Sequence, residues 1–237
     1  GEIQPEQIFA AYERRGRELG VRYAFGERAI GLVVMNETVV AVRTTKREIP
    51  CAWAVNAAGA DANEVASWAG RRLPINNRRR SLYTIVSPSP AFEAGPMVED
   101  AELEWYYRPL PGGRVLVGMG LEAIGSSLDG PNIEFLPAIR AAARRRAPAL
   151  AEFTLINGTS GIRPLTPDIL PIVGPVEGVG GFIHSCGWGG EGIMHSPAGG
   201  ALVADWITGA VTCPVDPRWF VYPRIKNLST AEGENAP

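Results

Sequence analysis

The chain has 237 residues, 46% of them hydrophobic and 20% charged, with a formal net charge of −2 at neutral pH. This is the composition of an ordinary globular protein, long enough for one large or two smaller domains, and its balance excludes the basic footprint of a nucleic-acid binder. No apolar run approaches the ~18 residues a membrane span needs, and the first residues do not read as a secretion signal.

Three widely spaced cysteines (Cys51, Cys186, Cys213) and two histidines (His184, His195) form no metal-ligand pair. The expectation is a reduced, cytoplasmic protein without structural zinc or any other metal. Two arginine triplets, Arg78–Arg80 and Arg144–Arg146, read as solvated surface or helix-end positions.

In chain order, "PEQIFAAYERRGRELG" predicts a helix with Pro5 in its first turn and Gly20 at its end, with Ile8, Tyr12, Arg15 and Leu19 on one face. "VRYAF", "AIGLVVMN" and "TVVAVRTT" read as three strands, the last two joined by a turn at Asn36–Glu37. "CAWAVNAAGAD" predicts a buried strand running into a small-residue loop, and "ANEVASWAG" a short helix. From Leu73, "SLYTIVSPSP", "GPMVED", "LEWYYRPL" and "RVLVGMG" are strand-length segments with no helix between them, which favours antiparallel pairing. A helix over about Glu134–Arg146 follows, with Phe135, Ile139 and Ala142 or Ala143 in register. Strands near "FTLING" and "GFIHSC" come next, then a glycine cluster and a helix from about Ser196, as N-cap, with Pro197 in its first position, to Thr208. The polar tail from Asn227 reads as frayed. The fold class is α+β or α/β in a discontinuous plan: segments 1–73 and 151–226 form one layer, and 74–150 forms an antiparallel sheet with a covering helix.

Three segments could carry chemistry. A strand ending at Asn56, Ala57, Ala58 and Gly59 offers exposed backbone and small side chains, which serve packing as readily as binding. "SCGWGGEGIMHSPAGG" packs six of the 28 glycines into sixteen positions between a strand and a helix. A helix N-terminus presents N–H groups and a positive dipole end to an electron-rich ligand, and glycine lets backbone approach closely. In "SGIRPLTPD", Arg163 precedes Pro164 and Pro167 on a stiff loop, suited to gripping a carboxylate in bidentate fashion. The alternative for Arg163 is an ordinary ion pair with a neighbour such as Asp168.

The order of "GEIQPEQIFAAYERRGRELGV", "AWAVNAAGADANEVASWAG", "WYYRPLPGGRVLVGMG", "GIRPLTPDILPIVGPVEGVGGF" and "SCGWGGEGIMHSPAGGALVADWITG" resembles the FAD-dependent D-amino acid oxidase-like family, which includes glycine and sarcosine oxidases and D-amino acid dehydrogenases. The resemblance implies a flavoenzyme that oxidises the C–N bond of a small amino or imino acid by hydride transfer to the flavin, with no dedicated catalytic base. It implies non-covalent FAD contacts at Asn56, Ala57, Ala58 and Gly59, and at Gly187, Trp188, Gly189, Gly190, Glu191, Gly192, Ile193 and Met194. It assigns the substrate carboxylate to Arg163 and an aromatic substrate contact to Tyr106, or to Tyr107 if the register slips by one; on a strand only one of the two faces the site. Segments 1–73 and 151–226 become part of the FAD-binding domain, and 74–150 the substrate domain.

Two departures qualify the resemblance. Gly161 stands where some relatives attach FAD through cysteine, so no covalent link is expected there. The family's opening G-x-G-x-x-G loop has no counterpart, since "GVGGF" at 178–182 lies between strand segments and opens no helix. The expectation is the C-terminal portion of a flavoenzyme, holding FAD weakly by itself, with exposed apolar surface that favours a homodimer or pairing with a chain that supplies the other half. The alternatives are a catalytically silent interaction or assembly module, and a flavoenzyme acting on a hydroxy acid.

Overall fold

The structure is a computed structural model that describes residues 3–89, 92, 95–120, 122–123 and 130–226; the tail from Asn227 lies outside the described residues. The chain divides into two compact units, residues 1–75 with 166–237, and residues 76–165.

The first unit opens with helix α1 (Pro5–Glu18), with Pro5 in its first turn and Gly20 just past its end at φ +86°. The shared face of Ile8, Tyr12, Arg15 and Leu19 is not buried: α1 buries no side chain, and Tyr12 and Leu19 are exposed. Residues 21–25 do not form the expected strand. Tyr23 instead stacks on Phe25, with the Arg17 guanidinium 5.0 Å from the Tyr23 ring centre, so the segment doubles back on the helix. Strands β1 (Ala29–Met35) and β2 (Thr38–Thr44) form an antiparallel hairpin. Its two-residue turn has positive φ at both Asn36 and Glu37, the geometry that matches the strand twist. A third strand, β3 (Glu48–Pro50), pairs with β2; it is short and exposed and leaves no pattern in the sequence. The buried strand expected at 51–56 shrinks to β4 (Ala54–Asn56), followed by a single 3-10 turn and α2 (Ala62–Ser67).

The second unit is an antiparallel sheet of β5 (Asn76–Val86), β6 (Val98–Asp100), β7 (Trp105–Leu110), β8 (Arg114–Met119), β9 (Glu122–Ala123) and β10 (Thr154–Leu165). The strand order is β10-β5-β8-β7-β6, and β9 also pairs with β5. One face packs on α3 (Leu136–Arg146): Ile139, Ala142 and Ala143 bury against Tyr83, Ile85, Trp105, Val115 and Val117. Arg144–Arg146 close the last turn of α3, where cations complement the helix dipole. The other triplet, Arg78–Arg80, corrects the sequence reading: it lies inside β5 and is half-buried, not solvated surface. The chain stays in this unit to residue 165, because β10 pairs with β5 along its whole length and ends with Leu165 opposite Asn76.

Back in the first unit, β11 (Ile172–Pro175) and β12 (Phe182–Cys186) form a hairpin, and β12 pairs in parallel with β4. Helix α4 (Gly192–Thr208) packs Leu202 with Val173 and Cys213, while α2 packs Ala62 and Ala66 with Ile172 and Cys186. The last described element is α5 (Pro223–Lys226). No helix among the described residues is long and apolar enough to cross a membrane.

Candidate functional site

In the first unit, parallel pairing sets His184 of β12 beside Asn56 of β4, so the loops that follow both strands leave the same edge of the sheet. Open α/β sheets carry their ligands at the carboxyl ends of such strands. A buried polar pair holds the two strands together. Asn56 donates from Nδ2 to the Ala62 carbonyl at 2.9 Å and accepts at Oδ1 from the Ala58 N–H at 3.3 Å. These partners fix the amide orientation, so Nδ2 also faces the His184 Nδ1 at 3.2 Å as donor, and Nδ1 must be the unprotonated ring nitrogen. Burial pushes the His184 pKa down to about 4, which keeps the ring neutral. Beyond Asn56, Ala57 and Ala58 are exposed, and Gly59 has φ +57° with open space where a Cβ would stand.

The glycines of the second loop have several causes. Gly187 is at φ +73°, and a Cβ there would lie 2.7 Å from the Thr166 methyl. Gly189 also has positive φ. Gly199 makes room for an indole, since a Cβ there would lie 2.7 Å from Trp188. Part of the cluster therefore serves the packing of Trp188 on α4. That helix begins five residues earlier than the sequence suggests: Glu191 is the N-cap, without a side-chain cap bond, and Pro197 lies inside the helix. Proline cannot donate to the Ile193 carbonyl, and the Ser196 hydroxyl takes that acceptor at 2.9 Å. Gly192, Ile193 and Met194 thus form the first turn of α4, where N–H groups are unclaimed by the helix itself. Glu191 and Met194 are exposed, and Gly190 is exposed beside them. Burial pushes the neighbouring Cys186 thiol up to about 12, so it is an inert packing group.

In the second unit, Arg163 lies within β10, not on a loop. Pro164 is tolerated there because β10 is the edge strand of its sheet. In the first unit, the Asp168 carboxylate accepts two hydrogen bonds from Arg224, Nε to Oδ2 at 2.8 Å and Nη2 to Oδ1 at 3.3 Å. Burial pushes the Asp168 pKa up, but the hydrogen bonds and charge of Arg224 prevail and hold it below the usual carboxylate range. Register also separates the two tyrosines. Tyr107 faces the core side, packed with Phe92 and Trp105. Tyr106 lies on the opposite face, over Gly118, where a Cβ would stand 2.5 Å from its hydroxyl. Arg163 is directly opposite Arg78, on the same face as Arg80 and Tyr106.

The residues fit part of a flavin site: small exposed backbone after β4, positive-φ glycines after β12 and an uncapped first turn of α4 leave room for a planar, electron-rich ligand. They hold no phosphate-binding turn among the described residues, since 178–182 is the hairpin between β11 and β12. A family profile described as DAO, FAD dependent oxidoreductase, matches residues 1–206. The chain belongs to this family of FAD-dependent oxidoreductases. FAD is the cofactor of the family.

The hydrogen cyanide synthase subunit HcnC of Pseudomonas aeruginosa is 28% identical over 227 residues, covering 95% of this chain and 53% of that protein. Glycine oxidase of Pseudomonas putida is 27% identical, covering 86% of this chain and 49% of the enzyme. The crystal structure of L-proline dehydrogenase from P. horikoshii superposes with a TM-score of 0.83 at 26% identity, covering 94% of this chain and 60% of that one. The chain spans about half the length of the curated relatives it matches.

The sequence alone could not show the Asn56–His184 link, because its members stand 128 positions apart. It also gave no signal for Arg80, since an arginine run has no strand-like alternation.

Proposed function

We propose that the protein carrying this chain oxidises the C–N bond of a small amino or imino acid, with FAD as oxidant. The observation that best supports this is the pairing of β4 with β12, which puts both candidate FAD loops at one sheet edge in a chain of this family. FAD would be held non-covalently by backbone at Asn56, Ala57, Ala58 and Gly59, and at Gly187, Trp188, Gly189, Gly190, Glu191, Gly192, Ile193 and Met194. When bound, FAD supplies the acceptor for the hydrogen and two electrons that leave the carbon beside the nitrogen, whose lone pair then completes the C=N bond.

Residues of this chain bind and orient. Arg163 holds the substrate carboxylate with a guanidinium that stays charged throughout the working pH range. Tyr106 supplies an aromatic wall on the same sheet face. Positioning of this kind converts binding energy into rate without a titrating side chain. The relatives' names, glycine oxidase and L-proline dehydrogenase, are consistent with a small amino or imino acid as substrate.

The test is anaerobic flavin reduction by glycine, sarcosine, proline and D-amino acids in the full-length, FAD-loaded protein. Loss of a charged, bidentate contact in Arg163→Ala should lower kcat/KM by an amount equivalent to roughly 2–4 kcal/mol. An unchanged kcat/KM removes Arg163 from this role, and no reduction by any amino or imino acid refutes the reading.

A further inference from the structure

The face of the second unit's sheet turned away from α3 is strongly cationic. Antiparallel register places Arg78 directly opposite Arg163 and Arg80 directly opposite Gly161, one step further along the same face. Arg108, two residues beyond Tyr106 on β7, shares that side. Among the described residues of β5 to β8 and β10, this face carries five arginines, with Arg114 at the far end of β8, and Glu99 is its one carboxylate, at the β6 edge opposite Tyr106. Like charges directly opposite on a sheet repel, so a face built this way is suited to receive negative charge.

Two contacts fix Arg80 in position. Its Cζ stands 4.8 Å from the Tyr106 ring centre, and its Nη1 donates to the Gly120 carbonyl at 2.6 Å. Its Nε–H is sealed from solvent and has no hydrogen-bond acceptor among the described residues. Opposite it, Gly161 presents no side chain, and a Cβ there would meet nothing within 4 Å. Gly161 thus leaves open space opposite Arg80, with Arg163 two residues along the same strand. The open space over Gly161 gives an anion an approach to the charged Arg80 head, where a hydrogen bond to an ionised partner is stronger than a neutral one.

We propose that Arg80 is a specificity-determining residue that receives a second acidic group of the substrate. The substrate class is then an amino or imino acid bearing an additional carboxylate. This rests on the reading of Arg163 as the ligand of the first carboxylate. Two fixed guanidinium groups on one face discriminate by leaving a charge unpaired when the substrate has only one carboxylate.

The test uses matched pairs in the full-length, FAD-loaded protein: iminodiacetate against sarcosine, and aspartate against alanine in both stereoisomers. The wild type should favour the dicarboxylate of each pair in kcat/KM. Arg80→Gln should reduce that preference roughly ten- to hundredfold while leaving turnover of the monocarboxylate member within a few fold. Calorimetric titration of the chain with iminodiacetate and with acetate gives a readout independent of turnover, and the tighter binding of iminodiacetate should disappear in Arg80→Gln. Monocarboxylates preferred by the wild type, or an Arg80→Gln variant that slows both members alike, would overturn the proposal and leave the amino acid oxidation reading standing. Reduction by neither class refutes that reading, and this proposal falls with it.

Discussion

His184 makes stability depend on pH in a defined window. The ring is 2% exposed, and its Nδ1 accepts from Asn56, so a proton there would face a donor and lack solvent. The folded-state pKa is about 4, against 6.5 for the ordinary group. Between those values the unfolded chain binds a proton that the folded chain refuses, so stability rises with pH. The contribution is fully present above about pH 6.5 and is lost as pH falls toward 4, a span worth about 3 kcal/mol at ~1.4 kcal/mol per pKa unit. Urea denaturation followed by tryptophan fluorescence at intervals from pH 4.5 to 7.5 measures the slope directly. His184→Gln, which keeps a hydrogen-bonding side chain and removes the titration, should flatten the curve in that window. A wild-type curve already flat between pH 7 and 5, or an equally steep one in the variant, would refute the argument.

Other outcomes follow from local geometry. Gly118→Ala drives a methyl to 2.5 Å from the Tyr106 hydroxyl, and such overpacking should cost about 1–3 kcal/mol by thermal or urea denaturation; Gly161→Ala, with open space before it, should be near neutral. Ile169 is β-branched, exposed, and held at φ +56°, so Ile169→Asn should stabilise by about 1 kcal/mol and raise Tm. Val55 of β4 and Trp53, just before that strand, are exposed, 41% and 39% respectively. The chain should therefore self-associate with increasing concentration in sedimentation velocity, and Val55→Lys should shift it toward monomer; a wild type that stays monomeric throughout contradicts this.

What could be read from the sequence was what local chemistry decides. Pro5 and Gly20 bracket α1, Asn36–Glu37 closes its hairpin, and the spacing of Ile139, Ala142 and Ala143 gives the buried face of α3. The errors occur where a distant contact decides. Residues 21–25 have strand composition, yet Tyr23 finds a neighbour in Phe25 and a cation in Arg17 instead of a pairing strand. The start of α4 is masked by glycines and by Pro197, whose missing N–H the Ser196 hydroxyl offsets. Arg163 reads as a loop residue because of its prolines, but an edge strand tolerates Pro164. On the candidate site, the two glycine-bearing segments were legible as loops between strand and helix. Their meeting at one sheet edge depends on the β4–β12 register, which no local pattern encodes.

The pairing of Leu165 with Asn76 has a consequence for the order of events during synthesis. Asn56 and His184 must find each other across 128 positions. If the intervening segment condenses first, its two ends emerge side by side, and the remaining span to be closed is only that of the short arms outside it. By the logarithmic dependence of closure entropy on length, this lowers the later encounter by about 1 kcal/mol. An insertion that folds early would act as a temporary clasp, keeping the flanks within reach of each other while β4 and β12 pair.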